Sequence, residues 1–133
     1  MLIAQITDTH IKLPGKLAYR KVDTASMLQR CVQELLALSP QPDIVLLTGD
    51  LVDLGRPEEY AHLKSILAPI QQRIIAIPGN HDEREAMRDA FRDGGYLPAE
   101  GKFLQFAIDD YPLRLVGLDT LIPGQGGGEL CRE

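Results

Sequence analysis

Residues 43–53 read Asp-Ile-Val-Leu-Leu-Thr-Gly-Asp-Leu-Val-Asp, an apolar run that ends in a glycine and two acidic residues. A short, continuous apolar run bounded by turn residues is typical of a buried strand in a parallel sheet. The same pattern occurs at residues 2–10 and 74–82, where polar residues again follow the apolar run. Together the three segments predict three buried strands, each of which delivers polar side chains to one end of the sheet.

A segment with helical periodicity follows each of these strands. Apolar residues recur at intervals of three and four in three segments, residues 25–36, 60–70 and 86–91. Asp23 or Thr24 is a suitable N-cap for the first helix, and Pro57 suits the first turn of the second. The sequence therefore predicts a helix after each of the three strands.

The last elements complete the predicted order. Asp82, followed three residues later by Glu85, predicts the N-cap of the third helix. Residues 103–108 and 113–117, joined by an Asp-Asp-Tyr-Pro turn, predict an antiparallel hairpin. The order βαβαβαββ indicates one α/β domain in which a mainly parallel sheet is flanked by helices.

Composition limits the classes of function. The chain has 133 residues, 44% of them hydrophobic, and a net charge of −5, so a broad basic surface for nucleic acid is not expected. No apolar run approaches the ~20 residues of a membrane span, and the N-terminus lacks a basic segment. Cys31 and Cys131 lie far apart and predict two reduced thiols rather than a disulfide. We therefore expect a cytoplasmic protein with no membrane or nucleic-acid partner.

The polar residues that follow the three strands are of metal-ligand type. They are Asp8 and His10, then Asp50 and Asp53, then Asn80, His81 and Asp82. Because the carboxyl ends of parallel strands lie along one edge of an α/β sheet, these side chains should converge there. Carboxylate, amide and imidazole ligands without cysteine favour Mn, Fe, Zn or Ni over a structural zinc site. One carboxylate between two such sets can bridge a pair of metals.

Each residue also has a plainer interpretation. Asp8 alone could begin a turn, His10 could be a surface histidine, and Asn80 could be a turn residue after Pro-Gly. Asp82 is assigned to helix capping, and His62 is predicted to be a solvated side chain on the second helix. The joint occurrence of three polar clusters, each after a buried strand, is what favours the metal site.

The clusters also resemble known signatures. Asp8-Thr-His10, Gly49-Asp-Leu-Val-Asp53 and Gly79-Asn-His-Asp82 resemble the DxH, GDxxD and GNHD motifs of the calcineurin-like metallophosphoesterase superfamily. Residues 53–60 further resemble the branch that contains class III cyclic nucleotide phosphodiesterases and glycerophosphodiesterases. The resemblance extends from residue 1 to about residue 120. It implies the N-terminal half of a four-layer α/β/β/α sandwich.

The resemblance implies a role for each site residue. Asp8 and His10 would bind one divalent metal ion, Asp50 would bridge two, and Asn80 would bind the second. His81 would contact the phosphate or assist the leaving group, and Asp53 would orient the ligands by hydrogen bonding. The implied reaction is hydrolysis of a phosphoric ester, with a metal-activated hydroxide attacking phosphorus.

The chain also departs from the family pattern. Its three histidines are His10, His62 and His81, whereas the family takes further histidines from its second half. We therefore expect residues 1–133 to be a truncated metallophosphoesterase domain that is inactive alone and leaves apolar sheet surface uncovered. The alternative is a non-catalytic metal-binding or assembly module. Cyclic nucleotides, glycerophosphodiesters and aryl phosphodiesters stay open as small-molecule substrates, and a homo-oligomer stays open as the assembly.

Overall fold

The computed structural model describes residues 1–130, so the prediction for Cys131 lies outside the described residues. The predicted order βαβαβαββ is confirmed, with one short 3-10 turn after the third helix. The elements are β1 (Ile3–Ile6), α1 (Thr24–Ala37), β2 (Ile44–Thr48), α2 (Pro57–Leu67), β3 (Arg73–Ile77), α3 (Arg84–Ala90), the 3-10 turn (Arg92–Gly94), β4 (Phe106–Ile108) and β5 (Leu115–Gly117).

Strands β1, β2 and β3 form a parallel sheet with β2 in the centre. The register places Leu47 of β2 between Ile6 of β1 and Ala76 of β3. Because the strands are parallel and in register, their carboxyl ends lie at one edge of the sheet. Ile44 and Val45 face opposite sides of the sheet and have no exposed surface, so burial of both faces explains the nearly continuous apolar run of β2. The prediction that β1 is a buried strand is wrong, because β1 lies at the edge of the sheet and only Ile6 of its four residues is buried.

The first two helices begin where the sequence predicts. The Asp23 carboxylate caps α1 by accepting a hydrogen bond from the Ser26 amide at 3.0 Å, and α2 begins at Pro57. However, α2 ends at Leu67, because Pro69 has no backbone N–H with which to continue the helical hydrogen bonds. Helix α2 packs between α1 and α3. No helix of residues 1–130 combines the length and the apolar character that crossing a membrane requires.

The predicted cap of α3 is wrong. Glu83, not Asp82, is the N-cap, and its carboxylate accepts hydrogen bonds from the amides of Glu85 and Ala86. Asp82 is only 6% exposed, and its two carboxylate oxygens bond to groups outside the helix. Asp82 therefore accepts hydrogen bonds from other parts of the chain and does not cap the helix.

Strands β4 and β5 form the predicted antiparallel hairpin, but as a separate two-stranded sheet. A cavity of about 220 Å³ lies between the hairpin and the parallel sheet, with Leu46, Ile75 and Phe106 in its lining. Val116 on β5 is 59% exposed and Leu113 before it is 58% exposed. The hairpin thus leaves apolar surface open to solvent.

Candidate metal centre

The loop after β1 runs beside the loop after β2. The Asp8 amide donates to the Gly49 carbonyl at 3.1 Å, and the His10 amide donates to the Asp50 carbonyl at 2.9 Å. These bonds continue the parallel pairing of the two strands beyond their ends. They fix Asp8, His10 and Asp50 next to one another at the carboxyl edge of the sheet.

The loop after β3 packs on the same residue, Asp50. The His81 amide donates to Asp50 Oδ1 at 3.1 Å. A Cβ at position 79 would lie 2.3 Å from both the amide nitrogen and Oδ1 of Asp50, so only glycine fits there. All three loops therefore meet at Asp50.

The backbone of the predicted ligands is strained. Asp8, His10 and Asp50 have φ values of 54°, 41° and 49°, in the left-handed region that L residues rarely adopt. In the described part of the chain, Tyr19 and Arg20 are the other non-glycine residues with positive φ. Strained residues persist where the surrounding structure holds them, and they cluster at functional sites.

One ligand atom from each of Asp8, His10 and Asp50 lies within 4.8 Å of the other two. His10 Nε2 is 3.8 Å from Asp50 Oδ2, and both side chains are partly buried. Two carboxylates and one imidazole are a ligand set that suits a divalent transition metal. The residues present therefore fit the metal that the motifs imply.

A second group shares His10. His10, Asp53 and His81 also bring one ligand atom each within 4.8 Å, and the rings of His10 and His81 meet edge to face at 4.7 Å. His81 Nδ1 lies 2.7 Å from the Asp53 carbonyl oxygen. Because a carbonyl can only accept, Nδ1 carries the proton and Nε2 is left for another partner. The geometry thus permits His81 either to act on a substrate or to bind a metal.

The Asp53 carboxylate forms an ion pair with Lys12. Both side chains are about four-fifths buried, at 21% exposure for Lys12 and 19% for Asp53. Asp53 thus orients His81 through its backbone carbonyl, while its carboxylate is held by a cation. Lys12 was not among the predicted site residues. It lies two residues after His10, a spacing that places both side chains on one side of an extended chain.

The first two helices anchor the loop that carries His10. The Thr24 hydroxyl, at the start of α1, donates to the His10 carbonyl at 3.1 Å. His62 on α2 places Nδ1 2.6 Å from the Lys12 carbonyl and is partly buried. The prediction that His62 is merely solvated is therefore wrong, because this contact holds it against the loop.

Asp82 lies beneath the loops after β2 and β3. Burial raises the pKa of its carboxyl group, and hydrogen bonds from Gly79, Tyr60 and Leu51 oppose that shift. Tyr60, on α2, has no exposed surface and donates its hydroxyl to Asp82 Oδ1 at 2.8 Å. The sequence predicts Tyr60 only as part of an apolar helix face. Because a buried tyrosine hydroxyl requires a hydrogen-bond partner, a polar contact of Tyr60 could also have been predicted.

Asn80 is exposed and borders a cavity of about 430 Å³. Asp53, His81 and Arg84 also line this cavity. The Arg84 guanidinium is fixed by two bonds to the Asp119 carboxylate, at 2.7 and 2.9 Å. The cavity is therefore open, partly polar and directly beside the candidate ligands.

Comparisons with known proteins agree with this geometry. The sequence profile of the calcineurin-like phosphoesterase family matches residues 1–130. The chain is 40% identical over 133 residues to a probable glycerophosphodiester phosphodiesterase GpdQ of Arcobacter nitrofigilis, covering 100% of this chain and 48% of that protein. A 3',5'-cyclic adenosine monophosphate phosphodiesterase CpdA of Pseudomonas aeruginosa is 32% identical over 130 residues, covering 98% of this chain and 45% of that protein. The chain thus spans about half the length of these relatives.

Proposed function

The chain belongs to the calcineurin-like phosphoesterase family, and from this premise we propose that it forms the metal-binding half of a phosphodiesterase with two divalent ions. The observation that carries the proposal is the convergence of ligand atoms from Asp8, His10 and Asp50 within 4.8 Å. These three residues would hold the first ion, and Asp50 with Asn80 would hold the second. Mn, Fe and Zn all suit such oxygen and nitrogen ligands.

The residues around the ions would divide the remaining tasks. When bound, the ions supply Lewis-acid polarisation of the phosphoryl group and neutralise its charge. His81, whose Nδ1–H is held by the Asp53 carbonyl, presents Nε2 to contact the phosphate or to move a proton to the leaving group. Lys12 holds the Asp53 carboxylate, which keeps that carboxylate from competing for a metal.

The proposed substrate is a small phosphodiester. Relatives of the chain include proteins named for glycerophosphodiesters and for cyclic adenosine monophosphate. The cavity of about 430 Å³ beside Asn80 and His81 is large enough for an ester group of either kind. The cytoplasmic location, the absence of membrane and nucleic-acid partners, and any homo-oligomer remain predictions.

One observation favours a second function, a non-catalytic metal-binding module. With His81 assigned to the substrate, the second ion would have only Asp50 and Asn80 as ligands among residues 1–133. Two oxygen ligands, one of them shared, should hold a transition metal weakly. A chain that keeps one tight ion and lacks the second would bind metal without turning over substrate.

Metal content tests the proposal on the chain itself. We expect Asp50→Ala to remove more metal than Asp8→Ala or Asn80→Ala, because Asp50 is the residue that we propose as the ligand of both ions. Mn²⁺ titration calorimetry and metal analysis by mass spectrometry would measure the stoichiometry and affinity. Asp110→Ala is the control, since Asp110 is an exposed carboxylate that pairs with Arg73 away from the site. Unchanged stoichiometry in Asp50→Ala would show that the bridging assignment is wrong.

A further inference from the structure

The hydroxyl of Tyr60 has more partners than helix packing requires. Tyr60 lies on the buried face of α2 and has no exposed surface. Its hydroxyl donates to Asp82 Oδ1 at 2.8 Å and accepts from the Glu83 amide at 3.3 Å. A buried tyrosine could satisfy its hydroxyl with any carbonyl, yet this one bonds to a carboxylate that also contacts the loops after β2 and β3.

The other oxygen of Asp82 joins two loops. Asp82 Oδ2 accepts from the Gly79 amide at 2.8 Å and from the Leu51 amide at 3.2 Å. Gly79 precedes Asn80, and Leu51 follows Asp50. One buried carboxylate therefore connects α2 to the loops that carry the two proposed ligands of the second ion.

We propose that Tyr60 is a positioning residue of the metal centre, which acts through Asp82 on the spacing between Asp50 and Asn80. The inference rests on the proposed function. The Asp82 carboxylate can rotate about its last torsion, and the Tyr60 hydroxyl fixes the rotation that points Oδ2 at both loop amides. Without that hydroxyl, Oδ1 is left buried without its donor, and the carboxylate turns or the loops separate to recover a partner.

The loop after β1 makes no direct contact with Asp82 and has further attachments of its own. Its position is set by Thr24 on the His10 carbonyl, by His62 on the Lys12 carbonyl and by its own pairing with the loop after β2. Removing the Tyr60 hydroxyl should therefore disturb the contact between the loops after β2 and β3 first. Since Asp50 would ligate both ions, the disturbance should lower the affinity for both.

The chain offers a matched control in Tyr96. Tyr96 is 9% exposed, and its hydroxyl accepts from the Ala76 amide of β3 at 2.8 Å. Burial raises the pKa of Tyr96 to about 12, so its hydroxyl stays protonated as that of Tyr60 does. Tyr60→Phe and Tyr96→Phe each remove one buried hydroxyl oxygen. The first removes the bonds to Asp82 and to the Glu83 amide, and the second removes the bond from the Ala76 amide, so only the first touches Asp82.

Mn²⁺ titration calorimetry and thermal unfolding of the wild type and both variants test the inference. We expect a fall in Tm in both variants, but a Mn²⁺ affinity about tenfold lower in Tyr60→Phe only, the scale of effect seen for groups that orient ligands. Equal affinities in the two variants would overturn the inference. A wild-type chain that binds no Mn²⁺ would overturn the proposed function as well, so the two failures are distinguishable.

A second variant keeps the test open if Tyr60→Phe does not fold. Asp82→Asn keeps one acceptor oxygen for Tyr60 but places an amide where Gly79 and Leu51 need an acceptor. It should weaken Mn²⁺ binding at least as much as Tyr60→Phe. Where Tyr60→Phe does fold, the double variant should lose no more affinity than Asp82→Asn alone, because Tyr60 acts through Asp82. Additive losses would show that Tyr60 acts by another route.

Discussion

His81 is the residue whose role the geometry leaves most open. It is close enough to His10 and Asp53 to join a metal-binding group, yet its ring is already held through Nδ1 by the Asp53 carbonyl. A ligand needs only a lone pair on Nε2, whereas a group that assists the leaving alkoxide must also gain and lose a proton there. The two roles differ in what happens to the metal when the ring is removed.

We predict that His81→Ala leaves metal content near that of the wild type. In a phosphodiesterase that contains this chain, the same change should lower kcat by roughly 10²–10⁴-fold, as expected for a lost acid–base group. Asp110→Ala is the control, because Asp110 is an exposed carboxylate that pairs with Arg73 away from the site. Metal analysis and steady-state kinetics are the measurements. Loss of metal together with activity would identify His81 as a ligand.

The residues of the site differ in whether the neighbouring sequence is enough to predict their role. Asp8, His10 and Asp50 could be predicted from the sequence because each comes shortly after an apolar run that forms a strand, and strand ends converge in a parallel sheet. The pairing of Lys12 with Asp53 and of Tyr60 with Asp82 could not be predicted in this way. Those contacts depend on how separate loops and helices pack, which residue spacing does not encode.

At the scale of elements, the apolar periodicity predicted every helix and strand, but not every boundary. Strand β4 begins at Phe106 rather than Phe103, because the Leu104 amide donates to the Asp119 carboxylate at 2.9 Å instead of to a strand. The Asp119 side chain thus accepts the hydrogen bond that the Leu104 amide would donate to the partner strand in a longer hairpin. Such substitution of a side chain for a strand partner is invisible to a hydrophobic pattern.

The same carboxylate, Asp119, ties the segment after the hairpin to α3. Its side chain has no exposed surface, and the Arg84 guanidinium that it binds is 12% exposed. Burial raises the pKa of Asp119, but hydrogen bonds from Arg84 and from the amides of Leu104 and Leu121 outweigh it and leave the pKa below 3.8. A lowered folded-state pKa adds stability above the unfolded-state pKa, and that stability is lost as pH falls through the folded value.

We therefore predict that Asp119→Asn lowers the free energy of unfolding at pH 7 by roughly 3–5 kcal/mol, the cost of breaking a buried ion pair from one side. The difference from the wild type should shrink in acid, below the usual carboxyl pKa of 3.8. Asp110→Asn is the control, since Asp110 pairs with Arg73 but is 69% exposed and should contribute less than about 1 kcal/mol. Denaturant unfolding at pH 7 and pH 3 would measure both variants, and a pH-independent difference would contradict the assignment.

For the whole molecule, the sequence was enough to predict an α/β fold with a parallel sheet, because strand and helix periods are read locally. It did not predict that the hairpin forms a sheet of its own, since strand partners are chosen by tertiary packing. Val116 on that hairpin and Leu113 beside it are exposed to solvent. Apolar surface of this kind favours self-association in solution.

The last prediction is that this 133-residue chain alone shows little or no phosphodiesterase activity. Asp8, His10 and Asp50 can hold one ion well, but Asn80 and the shared Asp50 should hold a second only weakly. A single ion can polarise a phosphoryl oxygen, yet it cannot stabilise both the attacking and the leaving oxygen as a pair does. The assay is hydrolysis of bis(p-nitrophenyl) phosphate with added Mn²⁺, and Asp50→Ala gives the background. Turnover well above that background, at the rate of a longer relative, would show that this chain's own residues complete the site.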